Sequence, residues 1–405
     1  MAEDMLLSIL EQMDLQKNCL SEKVALVTGA GGGIGFQAAR SLLCLGASVI
    51  IAEINKTLGK EAEKKLSREF GESTVRFIHT DVGSRSSVRR LLRKAQRSFA
   101  PVDILINNAT IAPLGKVVDT PIDIWDASYR VNLRGPVLLI QGLLPEMLNQ
   151  DTGVIINVSS TGTAFMGAYE TFKSAQVHLT ETLDAELEGS NVVVLTLGPG
   201  LVPTATATNS IEKLAPEMGL SLEEFYRINK NAILSVEEAG AGFASAVVYA
   251  RKFRGQEISA MQALLAAGYQ PADAVDPNEA SSISKESQQK ALALAESVYK
   301  TFQTQTTAWQ ERSIFERQWM LRDFKKNAGM PVDAWRERLE SLLDSLREKQ
   351  PIAAIPLENL SSYYTHLADL AKGYTKDPDD LQENLTHIFR WKQEVDQLLA
   401  LLRGK

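Results

Sequence analysis

Val24-Ala25-Leu26-Val27 leads without a break into Thr28-Gly29-Ala30-Gly31-Gly32-Gly33-Ile34-Gly35, and a helix-like stretch follows from Phe36 to Leu45. The first four residues form a short continuous apolar run, the pattern of a parallel strand buried on both faces. Strand, glycine-rich turn and helix start, in that order, make an anion site. Bare backbone N–H groups and the positive end of the helix dipole face the anion, and the glycines let it come close. In this context the turn fits a pyrophosphate.

Working outward, Ser48-Val49-Ile50-Ile51-Ala52 reads as the second strand, ended by Glu53. Glu53 follows Gly35 by 18 residues, close to where a dinucleotide fold places the acid that binds a ribose 2′-hydroxyl. A carboxylate there repels a 2′-phosphate, and no Arg or Lys lies in the glycine-rich turn to attract one. NAD is therefore expected, with NADP disfavoured. Leu58, Ala62, Leu66 and Phe70 recur at helical spacing, Val75–His79 reads as a strand, and Asp81-Val82 follow it. Val88, Leu91, Leu92 and Ala95 mark a helix, and Val102–Ile106 a strand running into Asn107-Asn108-Ala109. This alternation predicts an α/β fold, a Rossmann-like doubly wound parallel sheet.

A second stretch carries chemistry. In Tyr169-Glu170-Thr171-Phe172-Lys173 the Tyr and Lys stand four apart, on one face of a helix. An ammonium beside a phenol favours the phenolate, so Tyr169 is expected to titrate below its ordinary value of about 10 and to serve as an acid or base.

Together these segments resemble the short-chain dehydrogenase/reductases. The resemblance rests on Thr28-Gly29-x-x-x-Gly33-Ile34-Gly35, Asp81-Val82, Asn107-Asn108-Ala109, Val131-Asn132, Asn157-Val158-Ser159-Ser160, Tyr169-x-x-x-Lys173 and Pro199-Gly200, all in the family's order. It runs from about Glu22 to about Ala267. It implies hydride transfer between nicotinamide and an alcohol or carbonyl carbon. Tyr169 is then the general acid/base, and Lys173 lowers its pKa and holds the nicotinamide ribose. Ser160 bonds the substrate oxygen, and Asn132, on the helix after strand 4, completes a proton relay through water to Lys173. The cofactor set implied is Thr28, Gly29, Gly33, Ile34, Gly35, Glu53, Asp81, Val82, Asn108, Ala109, Tyr169, Lys173, Pro199, Gly200 and Thr204, with Thr206 as the alternative to Thr204. No metal is expected.

The chain departs from the pattern in places. Thr110 stands where the family has Gly, and its bulk alters the wall near the nicotinamide. The interval from Ser160 to Tyr169 is shorter than usual, so the loop Thr161–Ala168 is contracted and Ser159, Ser160 and Thr161 compete for the substrate oxygen. Counting from the strand favours Ser160. Residues 205–234, with Ser221-x-x-Glu224 as a capping box, resemble the substrate lid, and their apolar composition predicts an apolar pocket. Ser235-x-x-Glu238 opens a helix to about Arg251, and Gly255–Ile258 looks like the last strand, without its usual Gly-Gly.

The 405-residue length exceeds one core. Residues 1–20 read as an N-terminal helical extension that packs on the next domain or on a partner. Residues 21–270 form the NAD-binding domain, and 271–284, rich in Pro, Ala, Asp and Ser, a linker. Residues 285–405 form an all-α domain of three to five helices, broken at Gly329/Pro331 and at Pro351 and Pro356. His366 and His387 read as ordinary helix residues. These helices suit assembly into a homo-oligomer (dimer or tetramer) or docking of a partner protein. Net charge −7 argues against nucleic acid and anionic membranes. No apolar run reaches the roughly 20 residues of a membrane span. Two cysteines, Cys19 and Cys44, give neither a disulfide framework nor a metal site, which suggests a cytoplasmic location. The alternative function is an NAD(H)-binding scaffold or redox-sensing subunit without turnover.

Overall fold

The computed structural model describes residues 5–99, 101–160, 164–229, 233–270, 285–312, 314–329, 332–348, 357–374 and 378–402. The predicted linker 271–284 lies outside the described residues, as do Thr161 and the side chain of Thr206. The chain divides into two compact units, Met1–Gln270 and Pro271–Lys405.

The first unit is a parallel sheet of seven strands: β1 (Val24–Thr28), β2 (Ser48–Glu53), β3 (Val75–His79), β4 (Ile104–Asn107), β5 (Gly153–Val158), β6 (Val192–Gly198) and β7 (Glu257–Ser259). Their order is β3-β2-β1-β4-β5-β6-β7. The chain reverses direction across the sheet between β1 and β4, the switch point at which such sheets bind ligands. Registers Thr28↔Ala52, Asn107↔Asn157 and Val158↔Leu197 bring the carboxyl ends of the strands to one edge.

Period-2 alternation divides the core. Ala25, Val27, Val49 and Ile51 face the layer of α2 (Gly33–Cys44) and α10 (Val236–Val248). Val24, Leu26, Ile50 and Ala52 face that of α4 (Arg85–Ser98) and α6 (Gly135–Asn149). The remaining crossover helices are α3 (Lys56–Phe70), α5 (Ile122–Tyr129) and α7 (Gly167–Glu186). A π-helical turn, Arg130–Arg134, joins α5 to α6, so Asn132 sits on that turn and not on a regular helix. The N-terminal helix, α1 (Met5–Glu11), packs Leu6 and Ile9 against Ala241 of α10 and Leu264 of α11 (Ala260–Ala266). The lid consists of α8 (Ala205–Glu217) and α9 (Leu222–Ile228). The capping boxes at Ser221/Glu224 and Ser235/Glu238 both form. The helix from Ser235 ends at Val248, and a 3-10 turn carries the chain on from Ala250 to Phe253.

The second unit contains α12 (Lys285–Ala308), α13 (Ile314–Ala328), α14 (Val332–Glu348), α15 (Leu357–Tyr374) and α16 (Pro378–Leu402). Its core centres on Trp335, fully buried, whose Nε1 donates to the Ala328 carbonyl at 2.9 Å. Phe302, Phe324, Tyr363 and Tyr364 pack in the same cluster. His366 bonds Asp323 within this unit at 2.9 Å.

Candidate active site

The glycine-rich turn is built for close approach. Gly29 and Gly33 have φ of +66° and +54°, in the left-handed region that favours glycine. A Cβ on Gly35 would lie 2.5 Å from both Asn108 Nδ2 and the Gly29 carbonyl oxygen. Gly32 caps α2 without a side-chain bond, and a Cβ there would meet nothing within 4 Å. Gly32, at the cap of the helix, therefore borders open space, and Ile34 lies in the helix's first turn.

Neighbouring strands brace the turn. Thr28 Oγ1 donates to the Ile106 carbonyl at 3.2 Å and accepts from Ala109 N–H at 2.9 Å. Asn108 Nδ2 donates to the Thr28 carbonyl at 2.8 Å. Glu53 accepts from Gly31 N–H at 3.1 Å and from Asn55 N–H at 2.8 Å, which fixes its carboxylate beside the turn. Asp81 accepts from Gly83 N–H at 2.8 Å, while Val82 is buried against Gly135. Beyond β6, Pro199 leads into Gly200 (φ +84°), and Thr204 caps α8 by accepting from Ala207 N–H. A Cβ on Gly33 would lie 3.2 Å from Thr204 Cγ2, so Thr204 stands over the turn.

Tyr169 and Lys173 project from the first turns of α7. Asn157 at the end of β5 ties the sheet to this helix. It accepts from Asn107 Nδ2 at 2.9 Å and donates to Thr180 Oγ1 at 2.9 Å, and Thr196 bonds Thr180 at 2.7 Å. All four are buried.

Lys173 is 1% exposed and donates to the Val158 carbonyl at 2.7 Å. Its Nζ stands 5.7 Å from the Tyr169 ring centroid. Burial holds the ammonium down to about 7, with nearby Glu170 pulling the other way. Tyr169 is correspondingly not depressed. Burial pushes the phenol up to about 12, Glu170 adds to the rise, and hydrogen bonds to Ser160 and Thr110 oppose it. The expected sign is reversed because desolvation of both groups outweighs their attraction.

Asn132 braces the loop after β4. It accepts from Thr110 Oγ1 at 2.8 Å and Ile111 N–H at 3.1 Å, and donates to the Ile111 carbonyl and to Ser128 Oγ, each at 2.8 Å. Its own carbonyl accepts from Gln176 Nε2. Ser160 Oγ donates to Glu170 Oε1 at 2.8 Å. Sequence reasoning passed over Glu170 and Gln176 and read Thr110 only as bulk. The helical periodicity of α7 held the one available signal, since Glu170 and Gln176 flank the Tyr-Lys pair. Met166, Ile211, Leu214, Ala215 and Phe225 form an apolar cluster against which Tyr169 packs.

Among the described residues no group of three or more His, Cys, Asp or Glu could hold a metal, and no helix is long and apolar enough to cross a membrane.

A family model described as short chain dehydrogenase matches residues 23–215. An uncharacterized oxidoreductase of Staphylococcus aureus is 35% identical over 190 residues, 46% of this chain and 80% of that one. The chain belongs to the short-chain dehydrogenase/reductase family. Another relative, an uncharacterized oxidoreductase of Thermotoga maritima, is 37% identical over 191 residues, 46% of this chain and 73% of its own. The structure of NAD+-bound xylitol dehydrogenase superposes with a TM-score of 0.55 at 25% identity, covering 60% of this chain and 98% of that one. L-sorbose reductase of Gluconobacter frateurii, complexed with NADPH and L-sorbose, shares the fold at a TM-score of 0.55 and 24% identity, covering 60% and 97%. This short-chain dehydrogenase/reductase is thus an oxidoreductase of a nicotinamide-using family, with the helical second unit lying outside the match.

Proposed function

We propose that this oxidoreductase uses NAD(H) and interconverts an alcohol and a carbonyl compound in a largely apolar pocket. The observation that carries the reading is the Tyr169 ring 5.7 Å from buried Lys173 on the helix that follows β5, with Ser160 bonded to the adjacent Glu170. The open N-terminus of α2 suits a pyrophosphate, held with Gly29, Gly33, Ile34 and Gly35. Glu53 favours the free ribose 2′-hydroxyl and hence NAD. Asp81, Val82, Asn108, Ala109, Pro199, Gly200 and Thr204 line the rest of that site. A bound nicotinamide supplies or takes the hydride.

Tyr169 gives the proton to the carbonyl oxygen on reduction and takes it on oxidation. Lys173 orients the ribose and helps to stabilise the phenolate, and Ser160 holds the reacting oxygen. The Tyr169 phenol, high in the free protein, would be lowered by the positive charge of an oxidised nicotinamide, which desolvated Lys173 supplies only in part. The helices of the second unit serve assembly or partner docking.

The test is NADH formation from NAD+ and a panel of secondary alcohols. Turnover in the native protein and its loss in Tyr169→Phe, with NADH still bound, is the expected result. NADH binding without turnover of any alcohol would leave the scaffold reading.

A further inference from the structure

Charge is unevenly spread along the chain. Residues 54–99 hold 12 Lys and Arg against 5 Asp and Glu, while the whole chain holds 43 against 50. The excess gathers on α4. Arg85, Arg89, Arg90, Arg93, Lys94 and Arg97 of this helix are all exposed, and the helix has no acidic residue. Among the described residues none of the six has an ion-pair partner.

Helices of the second unit handle their cations differently. Arg390 meets Glu394 and Lys392 meets Asp396, each four residues away. Arg336 meets Asp333 and Lys372 meets Asp369, each three away. On α4 like charges stand four apart instead. Arg85, Arg89, Arg93 and Arg97 form one row, and Arg90 and Lys94 a second beside it. Like charges at this spacing oppose the helix. Arg85 also puts a cation in the first turn, where the helix dipole favours an anion. Burial outweighs these costs. Val88, Leu91 and Ala95 lie in the core against the sheet, each at most 2% exposed. The buried face thus holds α4 in place while the exposed face works against it.

Such a face suits an anionic partner, and its geometry selects among them. Lipid fits poorly, because the apolar face of α4 is already spent on the core and cannot enter a bilayer. A nucleic acid duplex carries one charge per about 1.7 Å, and the chain's net charge of −7 repels it. An acidic helix carries fewer charges, and at the repeat of α4 itself. Four residues advance about 6 Å in either helix, so carboxylates four apart meet arginines four apart. Rows of this kind align when two helices cross at about 50°. A guanidinium takes a carboxylate through two parallel N–H···O bonds, which favours Arg in such a row.

We propose that the exposed face of α4 docks a partner protein through an acidic helix bearing Asp or Glu at four-residue spacing. Facing carboxylates replace the repulsion along the arginine rows with attraction. The docking surface is independent of cofactor and substrate.

The probe is an alanine-based helical peptide with Glu at every fourth position, titrated onto the full chain and followed by fluorescence anisotropy. Binding is expected, weakening as added salt shortens the Debye length. Arg89→Gln/Arg93→Gln/Arg97→Gln is expected to lower the affinity roughly tenfold or more. The same variant is expected to raise Tm, because like-charge contacts are removed. A peptide of the same composition, with its glutamates spread around the helix, is expected to bind more weakly. No binding of the first peptide, equal binding of the second, or unchanged affinity in the triple variant overturns the proposal. A fall in Tm also overturns it, by giving the arginines to the fold. Tighter binding of a short random-sequence DNA duplex, or of vesicles of equimolar phosphatidylcholine and phosphatidylserine, overturns it in favour of that surface.

Discussion

The Gly31 backbone N–H donates to the Glu53 carboxylate at 3.1 Å, so the end of β2 is tied to the glycine-rich turn of β1. A Cβ on Gly31 would lie 2.8 Å from Glu53 Cγ. The carboxylate is thereby held at the turn before any ligand arrives.

That relationship gives the first prediction. Glu53→Ala removes both the acceptor and the charge that repels a 2′-phosphate. A hydrogen bond to a charged group contributes about 1.5–3 kcal/mol. The preference for NADH over NADPH, measured as a ratio of Kd values, is expected to fall about 10- to 100-fold.

Gly35→Ala tests the close packing behind the turn. The new methyl would press on Asn108 Nδ2 and the Gly29 carbonyl. The backbone oxygen cannot yield as a flexible side chain does. Overpacking of this kind costs about 1–3 kcal/mol. A lower Tm and an NADH Kd weakened by roughly tenfold or more are expected.

Lys173 makes stability depend on pH with a known sign. Its folded value, about 7, lies below the ordinary 10.5. Between these values the unfolded chain binds more protons, so the lysine's contribution to stability rises with pH. Below about 7 both states are protonated and the burial penalty is felt in full. Lys173→Met removes the titration. The native-minus-variant difference in unfolding free energy is expected to climb from pH 7 to pH 10, by up to about 1.4 kcal/mol per pH unit. A flat difference would contradict the buried lysine.

Thr110→Val keeps the branched shape and removes the hydroxyl bonded to Asn132. Ile111 still supports Asn132 through two backbone bonds, so the fold should hold. A lost hydrogen bond of about 1 kcal/mol predicts a several-fold drop in kcat, with Tm nearly unchanged.

The second unit has its own core, drawn from residues 291–402. Trp335→Ala removes its fully buried indole, a change that costs about 3–5 kcal/mol. Calorimetry is expected to show the transition of this unit falling, while that of residues 1–270 and the NADH affinity stay in place.

Much of this protein was legible in local pattern. The capping boxes at Ser221 and Ser235 need only four residues each to specify. The short apolar run 24–27 has the pattern of a doubly buried strand. The π-helical turn that carries Asn132 was not legible, because the sequence places Asn132 only on the helix after strand 4. Glu170 escaped notice for a different reason. A carboxylate on a helix has no meaning until the partner across the gap is known, and Ser160 reaches it from another element.

The sequence by itself determined the parallel sheet, the glycine turn at the start of α2 and the face shared by Tyr169 and Lys173. Each follows from spacing along one element, which the backbone geometry of strand or helix converts directly into position. Only the tertiary structure decided the electrostatics. Burial depends on everything packed around a group, and here it raises the Tyr169 phenol that a neighbouring cation alone would lower. It also decided which polar side chains meet, Thr110 with Asn132 and Ser160 with Glu170. These residues come from separate places in the chain, and they pair only once the sheet has closed.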